Sequence, residues 1–174
     1  MRNLLTALLT TGALLGVAGS VSAAQQQTTF NVTATVLKNC TTAAAPALPF
    51  GAYTPGLGQT INVNTTVSIA CTKKTGFTVA LNVGLPANAG NFTNRQMGDG
   101  AGDTLQYNLY TDNTYKTVFG DGTSPTATVP GTGAGMATQV VTTVYGQLVD
   151  SAYNQANGAP GAGYSDTITV TVTY

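Results

Sequence analysis

The chain has 174 residues, with six Lys plus Arg, six Asp, and neither Glu nor His. Charge this sparse leaves no basic stripe for nucleic acid, since Lys73-Lys74 is an isolated pair. The lack of His removes the commonest general base and a common metal ligand, and a β-branched composition with few charges argues against disorder.

Arg2 precedes an apolar run from Leu4 to Val17, and Val21-Ser22-Ala23 fits the small-x-small rule for signal-peptide cleavage. Residues 1–23 are therefore expected to be a secretory signal cut after Ala23 or Ala24; the run is too short for a spanning helix. Losing Arg2 leaves five Lys plus Arg against six Asp, a net charge of −1 that does little to oppose self-association. The exported part is roughly 150 residues, which suits one domain.

Beyond the signal, alternation with period two recurs, the mark of half-buried strands. The first strand signal runs from Thr28 to Leu37, with Phe30, Val32, Ala34 and Val36 on one face. Ala43 to Gly58 reads as loop. Ile61 to Cys71 alternates as a second strand; Lys73, Lys74 and Gly76 form a turn, and Phe77, Val79, Leu81 and Val83 alternate again. Strands two and three are thus expected to form a hairpin. Gly84 to Gly102 reads as a Gly/Asn-rich connection and Leu105 to Tyr110 as a strand. A turn at Asp112-Asn113, a short strand from Tyr115 to Phe119 and a turn at Gly120-Asp121-Gly122 follow. Thr123 to Gly135 reads as irregular, Gln139 to Val149 as a long strand, and Asn154 to Gly163 as a loop. Thr167 to Tyr174 alternates without a break. About seven strands between turn signals indicate an all-β, antiparallel, immunoglobulin-like β-sandwich.

Cys40 and Cys71 are the two cysteines, and an oxidising compartment favours a disulfide between them over free thiols or a metal pair. Two lone thiolates make a poor metal site, so neither metal nor cofactor is expected. Gly98-Asp99-Gly100-Ala101-Gly102-Asp103 and Gly120-Asp121-Gly122 offer too few carboxylates for calcium and read as turns. A nucleophilic Ser or Thr would find no His base, and Lys73 and Lys74 lie in a turn, so the chain is not expected to be an enzyme. Tyr107, Tyr110, Tyr145 and Tyr153 have rings that stack on sugars, but they read first as half-buried sheet positions.

The termini carry most of the functional signal. Edge strands usually defend themselves with Lys, Pro or bulges, and Phe30 to Val36 has none. Such a strand is either central in its own sheet or meant for another molecule. In the second reading the N-terminal segment leaves its own fold and inserts into a groove on the next copy, with Phe30, Val32, Ala34 and Val36 filling alternate pockets. A head-to-tail contact of that kind propagates as a filament.

Several short stretches, in this order, carry a resemblance: Phe50-Gly51-Ala52-Tyr53, Val67-Ser68-Ile69-Ala70-Cys71-Thr72, Asn94-Arg95-Gln96-Met97, Asp103 to Asp112, and Tyr164 to Tyr174. In these the chain resembles the spore coat protein U domain family, which includes subunits of archaic (Csu-type) chaperone–usher pili. The resemblance implies an incomplete immunoglobulin-like sandwich over residues 38–174, completed by a donor strand from a chaperone or a neighbouring subunit, with residues 24–37 as the chain's own donor segment. It implies a periplasmic chaperone pairing with the last strand through Ile168, Val170, Val172 and Tyr174. It further implies an outer-membrane usher, identical or related pilin subunits as polymer partners, and export to the periplasm and then the cell surface, in adhesion and biofilm formation. Two rival readings use the same alternation: a small outer-membrane β-barrel, and a secreted coat or sugar-binding sandwich whose N-terminal strand completes its own fold.

Overall fold

Val, Ile and Thr at alternate positions fit a pleated surface with one buried face, and the long runs of that kind become the long strands. The computed structural model of the chain describes residues 24–43, 45–85, 90–161 and 163–174; the expected signal peptide at 1–23 lies outside them. The chain divides into two units, Met1–Thr35 and Val36–Tyr174. In the first, residues 24–35 form neither helix nor strand, and every side chain is exposed. The strand expected from Thr28 to Leu37 is thus not formed, because a strand exists only through the ladder it makes with a partner.

The second unit is a two-layer sandwich. Strands β1 (Cys40–Thr42), β2 (Thr60–Cys71), β3 (Gly76–Leu81), β4 (Arg95–Gly98), β5 (Thr104–Tyr110), β6 (Val129–Thr132) and β7 (Val140–Val149) are followed by helix α1 (Ala152–Asn157) and strand β8 (Val170–Thr173). The five-stranded sheet has the order β1-β2-β7-β5-β4 and the three-stranded sheet the order β6-β3-β8. All their ladders are antiparallel. The longest joins β2 to β7, from Thr60 opposite Val149 to Ile69 opposite Val140. Val67, Ile69, Leu109, Val144 and Leu148 of the larger sheet and Phe77, Val79 and Leu81 of the smaller share one buried core.

Several expectations change. The turn at Lys73-Lys74 does not close a hairpin, since β2 and β3 lie in different sheets. The apolar faces of the two strands meet across the core, so the chain has to cross between layers. The crossing is held from outside: Lys74 N–H donates to Gly133 O (2.8 Å) and Gly133 N–H to Thr75 O (2.8 Å). The connection Gly84–Gly102 contains β4, hidden in the sequence because one of its inward positions holds an arginine. Arg95 is 0% exposed, and neutral oxygens surround its guanidinium. Its Nη2 reaches Phe119 O (2.6 Å) and Asn82 O (3.0 Å), and its Nη1 reaches Asn108 Oδ1 (2.9 Å). Burial lowers its pKa from the usual arginine value.

Tyr115 to Phe119 is not a strand. The Asp112 carboxylate accepts from the amides of Thr114 (2.9 Å) and Thr117 (2.9 Å) and from the Thr114 hydroxyl, which coils the segment and sets Tyr115 at φ 55°. The stretch Thr123–Gly135 contains β6, whose Pro130 is tolerated because β6 is an edge strand. A Cβ on Gly131 would lie 2.3 Å from the Phe77 ring, so only glycine fits there. The loop expected from Asn154 to Gly163 begins inside α1. Ser151 Oγ caps that helix by accepting from Asn154 N–H (3.2 Å), and the buried Asn154 amide pairs with the Gln106 backbone as a strand would, at 2.6 and 2.9 Å. The named strands number eight rather than seven, and β8 is shorter than its signal.

The disulfide forms between directly opposed residues: Cys40 faces Cys71 in the β1–β2 ladder, with a Cα–Cα distance of 4.1 Å. Its sequence separation of 31 corresponds to about 3–4 kcal/mol in the chain-entropy account. A Cys40→Ala/Cys71→Ala chain is expected to lose about that much stability, read as a lower urea midpoint; an unchanged midpoint would show that the bond constrains nothing.

Candidate functional site

The smaller sheet ends abruptly. β3 covers one edge of β8 through the pairs Leu81–Val170 to Thr78–Thr173, and among the described residues no strand covers the other. Alongside lies a groove of about 1050 Å³, lined by Ile168 and Val170. Its floor is the core itself, including Leu81, Leu105, Leu109, Val144 and Leu148. Its walls are two irregular stretches, 45–55 on one side and 158–161 with 163–168 on the other.

The first wall runs over the larger sheet because β7 has a glycine beneath it. A Cβ on Gly146 would lie 2.7 Å from Leu48 and 3.2 Å from Phe50, so Gly146 makes the seat for both. The Phe50 ring meets Tyr107 edge to face at 5.7 Å, and Thr65 Oγ1 donates to Pro46 O (2.9 Å). Asp150, just past β7, ties down the far end of this wall. Its carboxylate accepts from the Tyr53 hydroxyl (2.5 Å), Gly56 N–H (3.1 Å) and Gly58 N–H (2.6 Å). The Tyr53 contact leads in holding Asp150 below the ordinary carboxylate range, while desolvation and then Asp150 push Tyr53 up to about 12.

A second aspartate holds the other wall. Asp166 accepts from the Tyr107 hydroxyl (2.6 Å), Leu85 N–H (2.7 Å) and Thr167 N–H (2.8 Å). Ser165 bridges to Gly98 of β4 through paired backbone bonds of 2.9 and 3.0 Å, and the Tyr164 hydroxyl accepts from Ala159 N–H (2.7 Å). Burial, then the bond to Asp166, keeps the Tyr107 hydroxyl protonated well above the usual tyrosine range. Tyr107 therefore joins both walls from below, with its ring on Phe50 and its hydroxyl on Asp166.

An apolar trough beside a bare strand edge suits an extended peptide. The edge offers backbone donors and acceptors, and the trough takes every second side chain. The expected donor residues Phe30, Val32 and Val36 are 83–85% exposed, Ala34 is exposed, and none is in a ladder. Of the expected C-terminal set, Ile168, Val170 and Val172 are half-buried against the core, whereas Tyr174 lies beyond β8 and is 52% exposed. Nothing in the sequence marks the walls as walls: Leu48, Phe50 and Tyr53 read as loop, although Phe50 to Tyr53 and Tyr164 to Tyr174 carry the family resemblance. Nor does anything in it mark Asp150 or Asp166 as a brace, even though each aspartate lies next to a strong strand signal. Both Gly/Asp runs form turns, Asp99 Oδ1 accepting from the amides of Ala101, Gly102 and Asp103 at 2.8–3.1 Å.

Residues 26–171 match the family model described as the Spore Coat Protein U domain. One solved structure is the CsuC–CsuE chaperone–tip adhesion subunit pre-assembly complex from the archaic chaperone–usher Csu pili of Acinetobacter baumannii. The match covers 80% of this chain and 40% of that chain, at 22% identity and a TM-score of 0.49. The chain thus spans two fifths of that solved chain's length. Comparison with curated proteins found no match.

The Asp150 tether has a definite pH sign. A carboxylate whose folded pKa is depressed stabilises its contacts above the unfolded value of ~3.9 and loses that stabilisation as pH falls through the lower folded value. Amide exchange at Gly56 and Gly58 is expected to be slow near neutral pH, after correction for intrinsic rates, and to quicken under acid. In Asp150→Asn both amides should exchange quickly at neutral pH with little further response to acid. Protection that survives this substitution would rule the tether out.

Proposed function

The chain belongs to the spore coat protein U domain family, and from that premise we propose that it is a structural subunit of a bacterial surface pilus, assembled on the chaperone–usher route by donor-strand exchange. The observation that carries the reading is the bare edge of β8 beside an apolar groove of about 1050 Å³. A sandwich that leaves the backbone edge of β8 and the half-buried side chains of Ile168 and Val170 open on the same side has room for one more strand.

Residues 24–37 supply that strand to the next copy. Phe30, Val32, Ala34 and Val36 span roughly 20 Å when extended and fill the groove in alternation, while their backbone pairs with β8. Burying the exposed Phe30, Val32 and Val36 stabilises the junction by about 1.5–3 kcal/mol each. Before assembly a periplasmic chaperone lends a strand to the same edge, against the face of Ile168, Val170 and Val172, and an outer-membrane usher passes the growing polymer outward. Residues 1–23 direct export and are removed. The fibre serves surface adhesion and biofilm formation.

Material sheared from producing cells is expected to give a ladder of multimers on an unheated denaturing gel, collapsing to one band on boiling, because each junction resists detergent kinetically. Val32→Lys would place an unpaired charge in the groove at a cost of several kcal/mol. That variant should leave subunits in the periplasm and remove the ladder. A wild-type chain found only as soluble monomer would replace this proposal with a secreted, non-polymerising coat or sugar-binding protein.

A further inference from the structure

The few charges are sorted along the sandwich. β2 runs from one end of the domain to the other, and its 12 residues span about 35 Å. Past its Cys71 end lie Lys73 and Lys74, both exposed. Lys38 belongs to the same end, because Cys40 faces Cys71 and the backbone of Asn39 accepts from Thr72 N–H (2.9 Å). Val36, Leu37 and Lys38 line a shallow cavity of about 230 Å³ with Thr72, Lys73, Lys74 and Thr75. Three of the four lysines therefore surround the point from which the chain continues back into residues 24–35.

Four of the six aspartates mark the opposite end. Thr60 of β2 pairs with Val149, and Asp150 follows. Asn154 links Val149 O (2.8 Å) to the Gln106 backbone, which brings the start of β5, and with it Asp99 and Asp103, to that end. Gly98 pairs with Ser165, next to Asp166. The groove lies toward this end: Asp166 lines it, and Asp150 holds Tyr53 in its wall.

The two sets are separated by several Debye lengths of about 8 Å, so their attraction does little within one molecule. Resting on the donor-strand reading above, we infer that the lysine end of one subunit docks on the aspartate end of the next, as a charged collar around the inserted strand. The lysines sit where the donor segment leaves its own domain, and the aspartates sit where a groove receives one. Insertion brings the opposite signs together, whereas head-to-head or tail-to-tail encounters meet like charge. The occupant is a second copy of this chain, and the collar acts on docking rate and direction more than on the final hold.

The test follows detergent-resistant multimers over time, using the full exported chain, purified in denaturant with its disulfide intact and diluted into low or high salt. Wild-type assembly is expected to be roughly tenfold slower at about 500 mM than at about 10 mM salt. Lys73→Asp/Lys74→Asp should be slowed at low salt by a similar factor and lose most of the salt response; Asp tolerates the φ of 67° at position 74. Adding Asp103→Lys should recover at least about threefold by restoring opposite signs. Lys38→Asp, outside the turn, is the second variant should the first fail to regain a native circular dichroism spectrum. Wild-type rates and wild-type salt dependence in every folded variant, with the ladder intact, would overturn the collar and leave donor-strand assembly standing. Absence of a ladder from the wild-type chain itself would overturn the donor-strand reading and the collar with it.

Discussion

The uncovered edge of β8 is the constraint to which the rest of the structure answers. A backbone edge has to be paired or wetted, and apolar side chains next to it have to be covered or left at a cost. Here both demands fall on the same side of the domain. The core is well formed where β2, β7 and β5 of the larger sheet face β3 of the smaller, with Ile69 and Val79 fully buried. It thins toward the groove, where Leu48, Phe50, Ile168 and Val170 are only partly buried.

Keeping such a trough open requires support from outside the hydrophobic core, and the support is polar. Asp150 and Asp166 each hold one wall through a tyrosine hydroxyl and two backbone amides. Tyr107 connects the walls across the floor. Arg95 gathers the backbone of residues 82 and 119 beneath. Apolar contacts alone would favour collapse of the walls onto the floor; directional bonds at fixed points oppose it. A chain with so few charged residues thus uses several of them as braces.

Strong alternation makes β2, β5 and β7 legible from sequence, because apolar residues such as Val67 and Ile69, Leu105 and Leu109, and Val144 and Leu148 recur at alternate, inward positions. The cysteine pair is legible for a different reason: a chain that reads as exported and holds two cysteines has one evident way to satisfy them. What escaped notice had its signal carried by other residues. β4 is inward-facing through Arg95, which reads as a surface residue until its neutral cage is seen. β6 contains Pro130 and Gly131, two breakers that an edge position and a close-packed ring permit. The Lys73-Lys74 turn reads as a hairpin because alternation on both sides does not reveal which layer each strand joins. The groove walls lie in Pro/Ala/Gly-rich segments without periodicity, and tertiary hydrogen bonds position them rather than any local preference.

The Cys40–Cys71 bond also has a mechanical meaning. In the proposed fibre, tension on one subunit enters through the backbone just before Lys38 and meets the disulfide within a few residues. β1 is only three residues long and by itself would peel from the sheet one bond at a time. The sulfur bridge bypasses it and passes the load to β2, whose ten-pair ladder with β7 is then pulled along its length, so that many hydrogen bonds must fail together. A short strand and one covalent cross-link turn a weak unzipping geometry into a strong shearing one.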